Sequence, residues 1–167
     1  TWGPRLADLR TSGSVDLKLV ESLLPALERP SGHIDFTAAL SGDVKKPQIA
    51  GSADARDIRT GVKGYDLQLK SGSAHLDFSE SRVLLQELQG FLNDGRIRGH
   101  GDVRLDGLSM QKAEVQVDLE NVTMQVQDEV PATFSGNLLW ATRNDINQVS
   151  GSLDIEKLKY ARPMSLD

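Results

Sequence analysis

Short segments that alternate apolar with polar residues, and break at glycine, recur through this chain. His33-Ile34-Asp35-Phe36-Thr37-Ala38-Ala39-Leu40-Ser41-Gly42 is one, residues 95–107 are another, and Ala113-Glu114-Val115-Gln116-Val117-Asp118-Leu119 is the cleanest. A period of two gives each strand one apolar and one polar face. Residues 14–19 read as a first strand. Further strands are expected at roughly 33–42, 47–57, 64–70, 73–79, 82–89, 95–106, 110–119, 121–127, 131–141 and 148–158. Val20, Leu23, Leu24 and Leu27 recur at helical spacing, which predicts one short helix near residues 20–28 that contains Pro25 and stops at Pro30.

Turn chemistry at Gly61 to Gly64, Ser71-Gly72, Asn93-Asp94-Gly95, Asp106-Gly107 and Thr142 to Asp145 separates these segments. Short loops favour antiparallel neighbours, because parallel strands need long crossovers. No linker divides the chain, so residues 1–167 read as a single β segment. Glycines inside strands (Gly99, Gly101, Gly136, Gly151) mark a bend, a bulge or the close approach of another group. The expected fold is therefore all-β, a curved and mostly antiparallel sheet with one apolar face. Sandwich, barrel and open trough all satisfy that pattern.

Composition narrows the functions. Apolar residues make up 38% of the 167 and aromatics 5%, which disfavours stacking platforms for glycans or single-stranded nucleic acid. The net charge is −5, and along the sequence the 19 Lys and Arg are interspersed with 24 Asp and Glu without a basic stripe. Phosphate-backbone binding depends on such a stripe, so no nucleic acid is expected as a partner. There is no cysteine, which excludes disulfides, thiolate metal sites and a cysteine nucleophile. No apolar run approaches the ~20 residues that span a bilayer. The start, Thr1-Trp2-Gly3-Pro4, resembles neither an initiator methionine nor a signal peptide, so the chain reads as a mature product or a fragment of a longer protein.

The order of motifs carries a resemblance. Leu40-Ser41-Gly42-Asp43-Val44-Lys45-Lys46-Pro47-Gln48-Ile49-Ala50-Gly51 places a glycine, a proline and a second glycine at fixed spacing. Upstream, Leu23-Leu24-Pro25 leads into Ser31-Gly32-His33-Ile34-Asp35. Residues 90–99 repeat the element of glycine-rich turn, alternating strand and glycine. The end, residues 149–155 with Tyr160-Ala161-Arg162-Pro163 beyond, resembles the lead-in to a C-terminal domain. This succession resembles the TamB branch of the AsmA-like superfamily of bacterial envelope proteins. The resemblance implies a β-taco-like sheet forming an open hydrophobic groove, in the bacterial periplasm, within a longer protein anchored in the inner membrane. It implies phospholipid acyl chains, neighbouring repeats of the same chain and an Omp85-type outer-membrane barrel as partners. The role it implies is non-enzymatic: a lipid conduit between membranes, linked to outer-membrane protein assembly.

A conduit needs apolar side chains on one face, and no cofactor. At about 0.8 kcal/mol per CH₂, two chains of ~15 methylenes cost on the order of 24 kcal/mol to expose, which slows escape to roughly a day. The candidate lining is Ile34, Phe36, Leu40, Leu67, Leu69, Leu76, Phe78, Ile97, Val103, Leu105, Val115, Val117, Leu119, Val122, Met124, Val126, Phe134, Leu138, Trp140, Leu153 and Ile155. The same residues would also pack a closed β-sandwich, a structural or adhesive envelope module. Trp2 and Trp140 fit core, lining or interface equally. A glycan-binding jelly roll is a third reading, disfavoured by the scarcity of aromatics.

Catalytic constellations are poor. Each histidine precedes an acid by two residues (His33 and Asp35, His75 and Asp77, His100 and Asp102), so each pair shares a strand face. Ile34 and Leu76 between the partners should point inward, which sends those two pairs to solvent. No Gly-x-Ser-x-Gly elbow is present, Gly61-Val62-Lys63-Gly64 lacks the rest of a phosphate loop, and Asp128-Glu129 reads as a solvated turn.

Overall fold

The computed structural model describes residues 6–23, 27–43, 46–106, 109–126, 130–143 and 146–158. Trp2, Leu24, Pro25, Gly107, Asp128, Glu129, Asn144, Asp145 and residues 160–163 lie outside them. Nine strands follow one another: β1 (Leu6–Asp16), β2 (Leu27–Asp43), β3 (Lys46–Val62), β4 (Gln68–Ser79), β5 (Arg82–Leu92), β6 (Gly95–Asp106), β7 (Ser109–Val126), β8 (Val130–Arg143) and β9 (Ile146–Leu158). They form one open sheet in sequence order, antiparallel throughout. No second sheet faces it among the described residues, so these strands do not build the closed sandwich that the pattern also allowed.

Several expected elements are corrected. The helix near residues 20–28 is a 3₁₀ helix over Leu17–Leu23, and Leu27 and Glu28 already belong to β2. The Val20-to-Leu23 interval of three suits a 3₁₀ turn as well as an α turn, and a run this short suits the tighter helix. The first strand ends at Asp16 and begins at Leu6, earlier than residues 14–19. Segments 64–70 and 73–79 join into β4, which starts at Gln68, and segments 110–119 and 121–127 join into β7. Leu67 precedes β4, its carbonyl accepting the Val62 N–H at 3.0 Å.

The fused strands have one cause. Register shifts interrupt every strand pair from β2–β3 to β8–β9. Ser71 and Asn121 sit at two of them with φ of 50° and 55°, and Asp57 at a third with 53°. Such a bulge inserts one residue without ending the strand. Consecutive inward residues are then three apart, as in Ala55 and Ile58, Leu85 and Leu88, and Leu119 and Val122. Asparagine tolerates the left-handed conformation best among non-glycine residues, and the Asn121 N–H is held by the Ser135 hydroxyl at 2.9 Å.

Burial is thin. Leu17 of the 3₁₀ helix packs against Ala55 and Ile58, with Ile34, Leu69 and Ala74 around them. Away from that cluster the inward side chains are mostly half-buried. Glycines on the same face make room for large neighbours across the ladder. A methyl group at Gly13 would stand 3.0 Å from the Phe36 ring, and one at Gly101 2.9 Å from the Val115 side chain. At Gly51 it would collide with the Thr37 carbonyl oxygen and lie 2.6 Å from the Phe78 ring. Gly51→Ala is expected to destabilise the fold by about 1–3 kcal/mol through overpacking. Ser52→Ala, on the opposite face, should change it by less than about 0.5 kcal/mol. Urea unfolding of both variants checks this.

Candidate functional site: one apolar face across nine strands

Directly paired residues of an antiparallel ladder share a face, so register alone assigns every side chain. One row runs Gly13, Phe36, Ala53, Leu76, Leu85, Gly101, Val115, Trp140, Val149 from β1 to β9. The next runs Val15, Ile34, Ala55, Ala74, Leu88, Gly99, Val117, Leu138, Gly151. Further rows hold Leu40, Phe78 and Val103 toward one end, and Ile97, Leu119, Phe134, Leu153 and Ile155 toward the other. Among register-paired positions of this face, none with a described side chain is charged.

The register brings together the apolar residues singled out from the sequence. Ile34, Phe36, Leu40, Leu69, Leu76, Phe78, Ile97, Val103, Leu105, Val115, Val117, Leu119, Val122, Met124, Phe134, Leu138, Trp140, Leu153 and Ile155 all stand on this face. Leu67 lies in the turn before β4, and Val126 pairs with Val130 at the end of β7. The face also holds Leu9, Val15, Ile49, Ile58 and Val149, and the β5 residues Val83, Leu85, Leu88 and Leu92, which the pattern did not single out. In Val83-Leu84-Leu85-Gln86-Glu87-Leu88 the bulge hides the alternation. The spacing of three between Leu85 and Leu88 is the signal that could have found it.

Exposure rises toward both edge strands. Val122 of β7 is buried, whereas Leu9 on β1 is 59% exposed, and on β8 and β9 Trp140 is 36% exposed, Leu153 46%, Ile155 62% and Val149 67%. An apolar surface of this extent left open on a charged protein marks a site that something else covers.

The opposite face carries the charges. All three histidine–acid pairs lie there, as the inward placing of Ile34 and Leu76 requires. The His75 Nδ1 lies 2.7 Å from Asp54 Oδ1 on β3, its Nε2 lies 3.7 Å from Asp77, and Glu87 of β5 stands opposite it. The hydrogen bond with Asp54 raises the His75 pKa; desolvation opposes it, and the charges of Asp54 and Asp77 add to the rise. Arg82 donates through Nε and Nη2 to Asp102, which holds that carboxyl below the usual range. Among the described residues no group of three or more His, Asp or Glu is placed to hold a metal ion.

The chain is similar to the translocation and assembly module subunit TamB of Haemophilus influenzae, 24% identical over 144 residues. The aligned part is 84% of this chain and 11% of that protein, so the chain spans about a ninth of its relative's length. No family model matches the chain, and no solved structure matches it.

The raised His75 pKa has a stability consequence of definite sign. Protonated His75 is favoured by the fold, so its contribution is complete below the unfolded value of about 6.5 and disappears as pH rises through the higher folded value. Urea midpoints should fall across that window, and His75→Gln should flatten this part of the profile. An unchanged slope in the variant would assign the effect elsewhere.

Proposed function

We propose that this chain is one segment, residues 1–167, of a longer periplasmic envelope protein, and that its apolar face shields phospholipid acyl chains in transit between membranes. The observation that carries this reading is the apolar face, continuous from β1 to β9, without charge at its described register-paired positions and exposed at both edge strands. A soluble protein gains nothing from such a surface unless an apolar ligand or another sheet covers it. The similarity to TamB supports the envelope setting, the inner-membrane anchoring of the complete protein and a link to outer-membrane protein assembly through an Omp85-type barrel.

Register shifts in seven successive strand pairs, and glycines that let neighbouring strands approach on one side, favour a sheet curled around that face into a groove. Nine strands at ~4.8 Å give about 38 Å of path, one section of a conduit. Acyl chains would lie on the face while the head group stays in water. That arrangement lowers the cost of exposing the tails and needs neither a catalytic residue nor a cofactor.

The test uses lipid extraction and native mass spectrometry, with photo-crosslinkers at Leu105 and Val117 on the apolar face and at Arg104 and Gln116 on the other. Phospholipid crosslinked at the first two positions alone is the expected result. Crosslinks from Leu105 and Val117 to protein alone, with no bound lipid, would instead mean that a second sheet covers the face. Val117→Asp and Leu105→Arg should each reduce lipid transfer at least about tenfold, because a desolvated charge costs well over 1.4 kcal/mol. Lys112→Glu, on the outer face, should leave transfer intact.

A further inference from the structure

Most cations of the outer face stand beside an acid. Arg82, Arg104 and Lys112 are aligned across β5, β6 and β7, but the adjoining row supplies Asp102 and Glu114. Arg82 Nη2 lies 2.5 Å from Asp102 and Lys112 Nζ 2.5 Å from Glu114. Near the other end of the sheet this compensation fails. Arg59 on β3 and Lys70 on β4 stand between the Ile58–Gly72 and Thr60–Leu69 pairs, so two like charges face each other across the ladder. Neither makes an ion pair among the described residues. Facing like charges destabilise a sheet.

Both line a depression of about 480 Å³ with Arg29, Gln68 and Ser71, where the single carboxylate, Glu28, is already paired with Arg29 at 3.2 Å. Ser71 also borders a second depression, of about 290 Å³, with Ser73, Gln89, Arg96 and Arg98. Arg96 meets Glu120 only at 4.0 Å, and Arg98 faces Asp118 without an ion pair within that distance. Phe91, 47% exposed on this charged face, stands in register between Lys70 and Arg96. The depressions lie about two strand spacings apart, roughly 10 Å.

We propose that these joined depressions bind a ligand bearing two phosphate groups about 10 Å apart, on the face opposite the apolar one. Guanidinium forks match phosphate oxygens two at a time. The hydroxyls of Ser71 and Ser73 and the amides of Gln68 and Gln89 add neutral donors. Phe91 offers an apolar floor to the carbon skeleton between the phosphates. An anion seated between Arg59 and Lys70 also removes their mutual repulsion. In a chain of net charge −5, the long-range field does not hold an anion here, so binding depends on these residues. The site is independent of any lipid on the apolar face. A diphosphate lipid head group and a soluble phosphate ester share the required chemistry.

The experiment titrates the 167-residue chain with inositol hexakisphosphate by calorimetry. In parallel it measures co-sedimentation with phosphatidylcholine vesicles, with and without cardiolipin. Arg59→Gln with Lys70→Gln should weaken binding at least about tenfold, while Arg104→Gln changes it by about twofold or less. Binding of the soluble phosphate alone identifies an ester, and binding of cardiolipin vesicles alone identifies a head group; either supports the site if the double variant loses it. The proposal is overturned if neither binds, if Arg104→Gln loses as much, or if polyglutamate competes equally well. A urea midpoint of the double variant below that of the parent also counts against it, since the two cations would then be structural.

Discussion

Everything in this molecule depends on keeping the side-chain phase of one hydrogen-bonded ladder constant across nine strands. A strand that slips by one residue turns its whole apolar set to the other face. The strands of this sheet are long, β7 running for 18 residues, and long strands accumulate twist. The bulges accommodate it. Each inserts a residue within a strand pair and leaves the inward set inward on both sides, as at Ala55 and Ile58 or Leu119 and Val122. Left-handed residues such as Asp57, Ser71 and Asn121 are the local means by which the phase is kept.

That constraint explains a stable sheet with so little core. Among the described residues the buried apolar side chains are few, and three of them, Ala55, Ala113 and Ala132, are no larger than a methyl group. Cohesion comes from the ladder and from pairing large residues with glycines opposite them, which levels the face without a second layer. Two boundaries remain uncovered. The apolar face opens to solvent toward β1 and β9, and among the described residues these two strands each offer an unpaired edge, a template for another strand. Both are liabilities for an isolated domain and assets for a segment flanked by more of the same sheet.

Period-two alternation is legible wherever a strand is regular, and there the reading reached both fold class and face. Ala113 to Leu119 is such a stretch, and Val115, Val117 and Leu119 are co-facial. The reading stops at the bulges. Ser71-Gly72 looks like a turn because serine and glycine populate turns, yet the chain continues straight through as β4. In β5 the same device conceals Val83, Leu85 and Leu88. Spacings of three and four coexist over so short a run, so periodicity does not separate the 3₁₀ helix from an α-helix. The outer face was less legible still. Arg29, Arg59, Lys70, Arg96 and Arg98 are scattered along the sequence, and only hairpin lengths and bulge positions bring them together, neither of which composition encodes.

The two faces divide the chemistry of the molecule in a way that a closed fold could not. A sandwich hides its apolar face and leaves one kind of surface to the solvent. This sheet keeps both faces accessible, with all described register-paired charges on one side and none on the other. An acyl chain on the apolar face meets no charge that would fix it in place, and dispersion contacts with Leu, Val and glycine rows differ little from one row to the next. On the proposed function, such a uniform face suits lateral passage, since a tight site would hold the ligand. Specificity, where the molecule has any, then falls to the charged face and the strand ends. A sheet built this way extends only by pairing strands at its edges, and the exposure of Leu9 on β1 and of Val149 and Ile155 on β9 is what its apolar face shows where a strand has a single neighbour among the described residues.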